Sequence, residues 1–247
     1  MRILIVALIT LATLMTSCTN KPVPPQNPEQ LKNHYPVVHY QGPNKPFTVT
    51  LERRLPENWT FLTEIPKEVV RAVLISEDWS FYSHEGFDFG QIKEAVETNI
   101  ERGKFARGAS TITQQVAKNV FLDQNKSLIR KLREANLTVQ LEEHLSKNRI
   151  LEMYLNIAEW GEGIFGIEQA ARFYFKKSPK NLNVKEGVFL AVLLPGPKKY
   201  SQSFRERELT DFIRKRINTI LGKLHSAKVL TDEELDQWKN TKLSFEK

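Results

Sequence analysis

Residues 66–88, PKEVVRAVLISEDWSFYSHEGFD, contain the pattern that decides how this 247-residue chain folds. Pro66 suits the first turn of a helix, and the apolar residues that follow share one helical stripe: Val69, Val70, Val73, Leu74 and Ile75. The predicted helix ends near Glu77 and Asp78. A helix C-terminus disfavours negative charge, and burial beside a second carboxylate also raises a carboxylate pKa. Glu77 is therefore a candidate general base, although a Glu-Asp pair alone is more typical of a solvated helix end.

A second polar segment, RGASTITQQVAKN, follows at residues 107–119. A helix is predicted from about residue 110 to Phe121. Thr111, Gln115 and Lys118 are spaced i, i+4 and i+7, so they share one helical face. Hydroxyl, amide and ammonium groups together suit an oxygen-rich ligand such as a sugar phosphate. The alternative is a solvated polar face.

A third pattern places Lys126, Arg130 and Glu134 at i, i+4 and i+8 along the next predicted helix. Exposed on the surface, such a stripe is an ion-pair ladder that contributes well under ~1 kcal/mol per pair. Inside a cleft it would bind phosphate beside a second carboxylate. Spacing alone favours the surface ladder.

The rest of the chain predicts an all-α fold with at most minor β structure. Short strands are expected at Val37–Val38 and 47–51, and a tight loop is expected at 159–166, where three glycines cluster. Periodic apolar residues predict further helices. One covers 88–101, a long helix follows the turn at 123–126 and ends near 145, and another begins near 146. The remaining predicted helices cover 167–175, 184–194, 205–224 and 231–239. Thr231 and Glu234 form a capping-box pattern at the start of the last helix.

The chain carries 36 basic and 29 acidic residues, a formal net charge of +7, which favours anionic partners. No zinc-finger spacing or aromatic RNA-binding signature is present in the sequence, so a nucleic-acid partner is not expected. A membrane with phosphate head groups is the preferred partner.

The N-terminus supports that preference. The apolar run from Ile3 to Met15 is shorter than the roughly 20 residues that span a bilayer, and it suits the central region of a secretory signal. It leads into Cys18, the chain's single cysteine, in an arrangement that resembles a bacterial lipoprotein signal with a lipidated cysteine. The alternatives are an ordinary cleaved signal and a short uncleaved anchor, and all three export the chain. The expected organisation is a signal at 1–17, a tether and extension at 18–50, and one domain at 51–247.

Four ordered motifs resemble those of the peptidoglycan glycosyltransferases of glycosyltransferase family 51, and especially the monofunctional biosynthetic transglycosylases. The motif E-D-x-x-F-x-x-H-x-G-x-D begins at Glu77 and includes Phe81 and His84. The second motif, G-[GA]-S-T-[IL]-[TS]-Q-Q-x-x-K-N, covers 108–119. The motifs R-K-x-x-E and K-x-R-I-L-E-x-Y-L-N follow at 130–134 and 147–156.

The resemblance implies a lysozyme-like helical head with a small jaw lobe that faces the membrane. It also implies a hexosyltransferase that polymerises lipid-linked disaccharide-peptide units (lipid II) into glycan strands. In the implied reaction the 4-hydroxyl of an acceptor sugar attacks the anomeric carbon of the growing chain, undecaprenyl pyrophosphate leaves, and the configuration inverts. The implied location is the periplasmic face of the bacterial inner membrane, with cell-wall synthesis proteins as further partners.

The resemblance also implies roles for individual residues. Glu77 would take the proton from the attacking hydroxyl, and Glu134 would assist at the donor side. The cations expected to stabilise the pyrophosphate are Lys118, Lys126 and Arg130. The remaining expected substrate-binding residues are Asp78, Phe81, His84, Thr111 and Gln115. No cofactor is required, although Mg²⁺ or Mn²⁺ could share the pyrophosphate charge; no metal-binding signature stands out.

Three features depart from the family pattern. Lys126 stands where relatives often carry Arg, and Glu94 stands where they often carry a basic residue. A lipoprotein-type N-terminus replaces the usual uncleaved transmembrane helix. Two other functions remain open at this point: a lysozyme-like enzyme that cleaves glycans, and an inactive homologue that binds the precursor.

Overall fold

A computed structural model describes residues 25–43, 45–101, 110–123 and 127–247 of the chain. Helices dominate these residues, which confirms the all-α prediction, and the strands form two small antiparallel hairpins. The predicted signal, Cys18, Lys126 and most of the segment 101–107 lie outside the described residues. The predicted domain boundaries stay predictions.

The helices lie close to where the apolar periodicity predicts them. Their bounds are α1 Lys67–Glu77, α2 Phe89–Glu101, α3 Ile112–Phe121, α4 Leu128–His144, α5 Lys147–Ile157, α6 Ile167–Phe175, α7 Val184–Leu193, α8 Pro197–Tyr200, α9 Gln202–Glu206, α10 Asp211–Ser226 and α11 Asp232–Asn240. The strands are β1 Tyr35–His39, β2 Thr48–Glu52, β3 Glu159–Gly161 and β4 Ile164–Phe165. Strand β1 pairs antiparallel with β2, and β3 pairs with β4.

Helix α7 forms the centre of the hydrophobic core, and its residues 185–193 are all buried. It packs against α1 and α10. The approach of α1 is close at Gly187, where an added Cβ would lie 2.5 Å from Cγ2 of Val69. At the other end of α1, the Ser76 hydroxyl donates to the carbonyl of Ala191 at 3.0 Å. These contacts fix α1, and with it Glu77 at its last turn, against the most buried part of the molecule.

Polar residues begin several of the helices. Thr111 is the N-cap of α3: its hydroxyl accepts from the backbone N–H of Gln114, whose side chain accepts from the N–H of Thr111. The same reciprocal arrangement joins Thr231 and Glu234 at α11, as predicted. Satisfying these otherwise unpaired N–H groups typically contributes about 1 kcal/mol per cap.

Two segments differ from the prediction. Residues 159–165 form the β3–β4 hairpin, where the sequence predicted a tight loop without strands. The helix predicted at 205–224 is divided, because Arg207 adopts a left-handed backbone conformation with φ of 57° and Thr210 then caps α10 by accepting from the N–H of Ile213. Apolar periodicity continues across this break, so it does not reveal the change of direction.

No helix within the described ranges combines the length and apolar character needed to cross a bilayer.

Candidate active site

Three helices bring polar side chains together around the carboxylate of Glu77. Gln115 on α3 donates its Nε2 hydrogen to Oε2 of Glu77 at 2.8 Å. Tyr154 on α5 donates its hydroxyl hydrogen to the same oxygen at 3.3 Å. Sequence positions far apart thus converge on one oxygen of one carboxylate, and the first two motifs are in contact through Glu77 and Gln115.

The environment of Glu77 raises its pKa above the ordinary value of 4.5. Burial of the carboxyl group is the largest cause; the hydrogen bonds from Gln115 and Tyr154 and the charge of Arg216 oppose it, and Asp78 adds to it. The residue as a whole remains partly accessible to solvent. A carboxylate that is enclosed, oriented and reachable, with a raised pKa, has the properties of a general base.

The hydroxyl of Tyr154 donates its hydrogen to Glu77. Burial and the neighbouring Glu77 charge raise the pKa of Tyr154 well above its usual value, so the hydroxyl keeps its proton. In the sequence, Tyr154 belongs to the fourth motif, and no role was assigned to it. Its hydroxyl on an otherwise apolar, buried helix face was the available signal.

Asp78 and His84 connect the first motif to α3. The backbone N–H of Gly86 donates to Nδ1 of His84 at 3.1 Å, so the ring proton lies on Nε2, which donates to Oδ1 of Asp78 at 2.9 Å. The other oxygen of Asp78 accepts from the N–H of Ile112 at 2.9 Å. Thr111 then donates to the carbonyl of Gly86 at 2.7 Å. The first two motifs are therefore locked together.

These contacts give three predicted substrate-binding residues a place inside the fold. Asp78, Phe81 and Thr111 are 1%, 0% and 2% exposed. The ring of Phe81 packs in the core beneath the ammonium of Lys147. All three hold the base and the start of α3 in position, and their direct contact with substrate stays a prediction.

A second group of charges surrounds Glu134 on α4. Its Oε2 accepts from Nη1 of Arg130 at 3.2 Å, and its Oε1 pairs with Lys131. Glu134 is 3% exposed, which contradicts the surface ion-pair ladder that spacing alone favoured. Within the described chain, Nε of Arg130 is buried without a hydrogen-bond partner. Lys126, the third member of the predicted stripe, lies outside the described residues.

Lys118 belongs to this cationic group. Desolvation lowers its pKa, Glu134 opposes that effect, and Arg130 and Lys131 lower the pKa further. The residue is nevertheless exposed, so solvent moderates the depression and the ammonium stays protonated near neutral pH. The charge of Glu77 also acts to raise the pKa of Lys118, so both carboxylates influence this ammonium.

Sequence reasoning missed Lys131 and Arg216 as members of the site. Lys131 stands within the third motif, directly after Arg130, and its ion pair with Glu134 follows from i, i+3 spacing. Arg216 lies on α10, far along the chain from Glu77, whose pKa its charge lowers. No local pattern indicates that α10 packs beside α1.

Comparison with known proteins agrees with this geometry. Residues 44–225 match the transglycosylase family. The chain is 47% identical over 156 residues to a biosynthetic peptidoglycan transglycosylase of Azoarcus sp. (strain BH72), which covers 63% of this chain and 68% of the relative. It is 39% identical over 199 residues to a protein of the same name from Nitrosomonas eutropha, covering 81% of this chain and 77% of the relative.

Among solved structures, penicillin-binding protein 1A from Haemophilus influenzae aligns with 92% of this chain at 17% identity and a TM-score of 0.38, and the aligned part is 23% of that protein. The family match and the identity to the curated relatives carry the assignment. This chain belongs to the transglycosylase family.

Proposed function

We propose that this chain is a peptidoglycan glycosyltransferase that joins lipid-linked disaccharide-peptide units into glycan strands, with inversion and release of undecaprenyl pyrophosphate. The family match and the relatives' names support the activity. The observation that carries the assignment of roles is the Glu77 carboxylate, oriented by Gln115 and Tyr154 and shifted toward neutral pKa by burial.

In the proposed reaction Glu77 is the general base. Both described donors use Oε2, so Oε1 is the oxygen that would accept the proton of the attacking 4-hydroxyl. As that proton moves to Oε1, the sugar oxygen forms its bond to the anomeric carbon and the bond to the pyrophosphate breaks. Burial raises the pKa of Glu77, and a base whose pKa is moved toward the working pH transfers protons more efficiently.

The leaving pyrophosphate would be stabilised by Lys118, Arg130 and Lys126. Lys118 and Arg130 lie on adjacent helices, and Arg130 has a buried N–H for which the described residues supply no acceptor. Preorganised cations of this kind act on charge that develops in the transition state. Glu134 would serve at the donor side by holding Arg130 and Lys131 in place, because each of its oxygens pairs with one of them.

The ion pairs of Glu134 with Arg130 and Lys131 affect whether Glu134 could bind a divalent cation. Both oxygens of Glu134 already face cations, and no group of three His, Cys, Asp or Glu side chains suited to a metal occurs among the described residues. Glu134 therefore offers no free carboxylate oxygen to Mg²⁺ or Mn²⁺, and an ion that shared the pyrophosphate charge would be held chiefly by phosphate oxygens. Activity that persists in the presence of a chelator is the expected result.

Peptidoglycan synthesis places this chain in the cell envelope. We propose the finer location at the periplasmic face of the inner membrane, with lipidation at Cys18. Exposed apolar side chains support contact with a membrane through a jaw lobe: Val96 and Ile100 on α2, and Leu128, Ile129 and Leu132 at the start of α4. The expected partners are the lipid-linked precursor, the membrane and other cell-wall synthesis proteins.

A polymerisation assay tests the activity and the base together. Purified protein incubated with lipid-linked disaccharide precursor should form glycan polymer. Glu77→Gln should abolish it, whereas the matched variant Glu143→Gln, at an exposed position of α4, should retain it. Polymer formed at the normal rate by Glu77→Gln would sink the general-base assignment. Soluble sugars released from finished wall, without polymer, would instead indicate a glycan-cleaving enzyme.

The anchor has its own test. Cys18→Ser should abolish labelling by a fatty-acid probe in cells, and labelling that continues would refute lipidation at this residue.

A further inference from the structure

A surface cavity of about 540 Å³ opens beside the end of α1. The residues that carry its chemistry are Trp79, Ser83, Glu85, Phe87, Asp88 and Phe89. It begins two residues after Glu77 and is lined by the segment that joins α1 to α2 and by Phe89, the first residue of α2. Neither the base nor the cationic group around Glu134 lines it.

The side chain of Trp79 is largely exposed to solvent, although the residue before it is buried. Asp78 points into the protein and is 1% exposed, whereas Trp79, the next residue, is 69% exposed. Phe89, across the cavity, is 77% exposed, and its ring lies 6.4 Å from that of Phe87. Neither Trp79 nor Phe89 contributes its ring to the hydrophobic core, so folding gives no reason for two large aromatic surfaces here.

The charges around the cavity select the kind of ligand. Of the described residues that line it, none is Lys or Arg, and two are acidic, Glu85 and Asp88. His84 also lines it, but its Nε2 is used in the hydrogen bond to Asp78. Burial acts to raise the pKa of Asp88, but hydrogen bonds from Ser80 and Gln91 outweigh it and lower the pKa, so Asp88 stays ionised. This surface repels phosphate and other anions. Its aromatic faces and exposed Ser83 and Glu85 side chains instead suit an uncharged ligand with one apolar face and several hydroxyl or amide groups.

We propose that this cavity, the Trp79 cavity, binds a neutral N-acetylhexosamine unit of a glycan strand, stacked on the indole of Trp79. The inference rests on the proposed function, because a strand of such sugars is the substrate and product of the Glu77 site. The Trp79 cavity would be a binding position separate from Glu77 and from the cations around Glu134, and it would retain the strand beside the base.

The competing occupant is the membrane, since Trp side chains also favour bilayer interfaces. The two carboxylates of the cavity argue against it, because bacterial bilayers present anionic head groups to which acidic surfaces are not attracted. Membrane contact is accordingly the alternative outcome of the test.

Tryptophan fluorescence provides a direct binding test. The chain has 4 tryptophans; Trp59 and Trp160 are 8% and 0% exposed, and Trp238 is partly buried. Trp79 therefore dominates quenching by acrylamide. Soluble N-acetylglucosamine oligomers should protect it in a saturable way. In Trp79→Ala, oligomer affinity measured by calorimetry should fall at least about tenfold, equivalent to ~1.4 kcal/mol. Trp79→Phe should retain part of it, and Phe212→Ala, at a 51% exposed aromatic on α10, should bind normally.

Two further measurements separate the possible failures. Trp79→Ala with Glu77 intact should still polymerise precursor but release shorter strands; strands of normal length would overturn the retention role. The glycan assignment would be overturned if Trp79→Ala bound the oligomer as tightly as wild type. It would also be overturned if Trp79→Ala lost binding to anionic lipid vesicles while its oligomer binding was unchanged. If wild type forms no polymer while oligomers still protect Trp79, the proposed function fails and the cavity assignment stands.

Discussion

Replacing Gln115 with Leu removes the shorter of the two hydrogen bonds to Glu77 while keeping a side chain of similar size. The donor lies 2.8 Å from Oε2 and lowers the pKa of the carboxyl group, in opposition to burial. Without the hydrogen bond from Gln115, less opposes the effect of burial, and the pKa of Glu77 rises further. The base then carries a proton, and is inactive, over a wider range of low pH.

The size of the effect follows from the bond. A hydrogen bond to a charged group contributes about 1.5–3 kcal/mol, and each ~1.4 kcal/mol is a factor of ten. At a fixed pH on the acid side of the profile, kcat/KM should fall roughly 10- to 100-fold. Tyr154→Phe should act in the same direction but less strongly, because its bond to Oε2 is longer, 3.3 Å.

The measurement is kcat/KM for precursor polymerisation as a function of pH, which reports the ionisation of the free enzyme. Both variants should regain activity as the pH rises, because the carboxylate is restored once its proton dissociates. Tyr82→Phe is a matched control: it removes a tyrosine hydroxyl that bonds to Asn148, away from Glu77. Its pH profile should match wild type.

An acid limb that stays in place in Gln115→Leu, or moves to lower pH, would refute this account of the base. A uniform loss of activity at every pH would show that Gln115 acts on the substrate and not on the ionisation of Glu77.

Three further predictions follow from the same contacts. Because burial raises the pKa of Glu77 above 4.5, its ionised form destabilises the fold. Glu77→Gln should therefore raise Tm at neutral pH, by about 2–4 °C for each ~1 kcal/mol of stability gained, and this gain should disappear below the unfolded pKa. Calorimetry that shows no gain at neutral pH would contradict this. Lys118→Met should reduce kcat about 100-fold by removing a cation from the pyrophosphate, whereas Lys118→Arg should retain much of the rate; equal rates for the two in single-turnover assays would exclude an electrostatic role. Gly187→Ala should destabilise the protein by about 1–3 kcal/mol in urea unfolding, because the added Cβ meets Val69; wild-type stability would show that α1 and α7 can separate without cost.

Local sequence signals predicted the helices well. Residues 167–175 fall on α6 at both ends, and α1 ends at Glu77 as the apolar stripe indicates. Capping chemistry accounts for the ends, as at Thr231, since a hydroxyl followed by a glutamate at the third helical position is readable in one dimension. The division between α9 and α10 was missed because the left-handed turn at Arg207 is stabilised in part by the distant chain end, where the N–H of Lys247 donates to its carbonyl.

The sequence identified some residues of the candidate site and missed others, because contacts between distant helices leave no local pattern. Motifs identified Glu77, Gln115 and Arg130, because each lies within a dense polar segment. They did not distinguish residues that hold the site from residues that face its cleft: Asp78 and Thr111 proved to be buried supports. Tyr154 reaches Glu77 across helices 77 positions apart in the sequence, and no spacing rule covers such a contact.

The packing of α1 on α7 has a consequence for motion during turnover. Glu77 is carried by a helix that is fastened at Gly187 and Ser76 to the least accessible part of the molecule. Amide hydrogens of α1 and α7 should consequently exchange with solvent only in global unfolding. We expect any rearrangement that admits the precursor or lets the strand advance to involve α2 and the first turn of α4, where apolar side chains are exposed. The base would remain stationary while the strand moves past it.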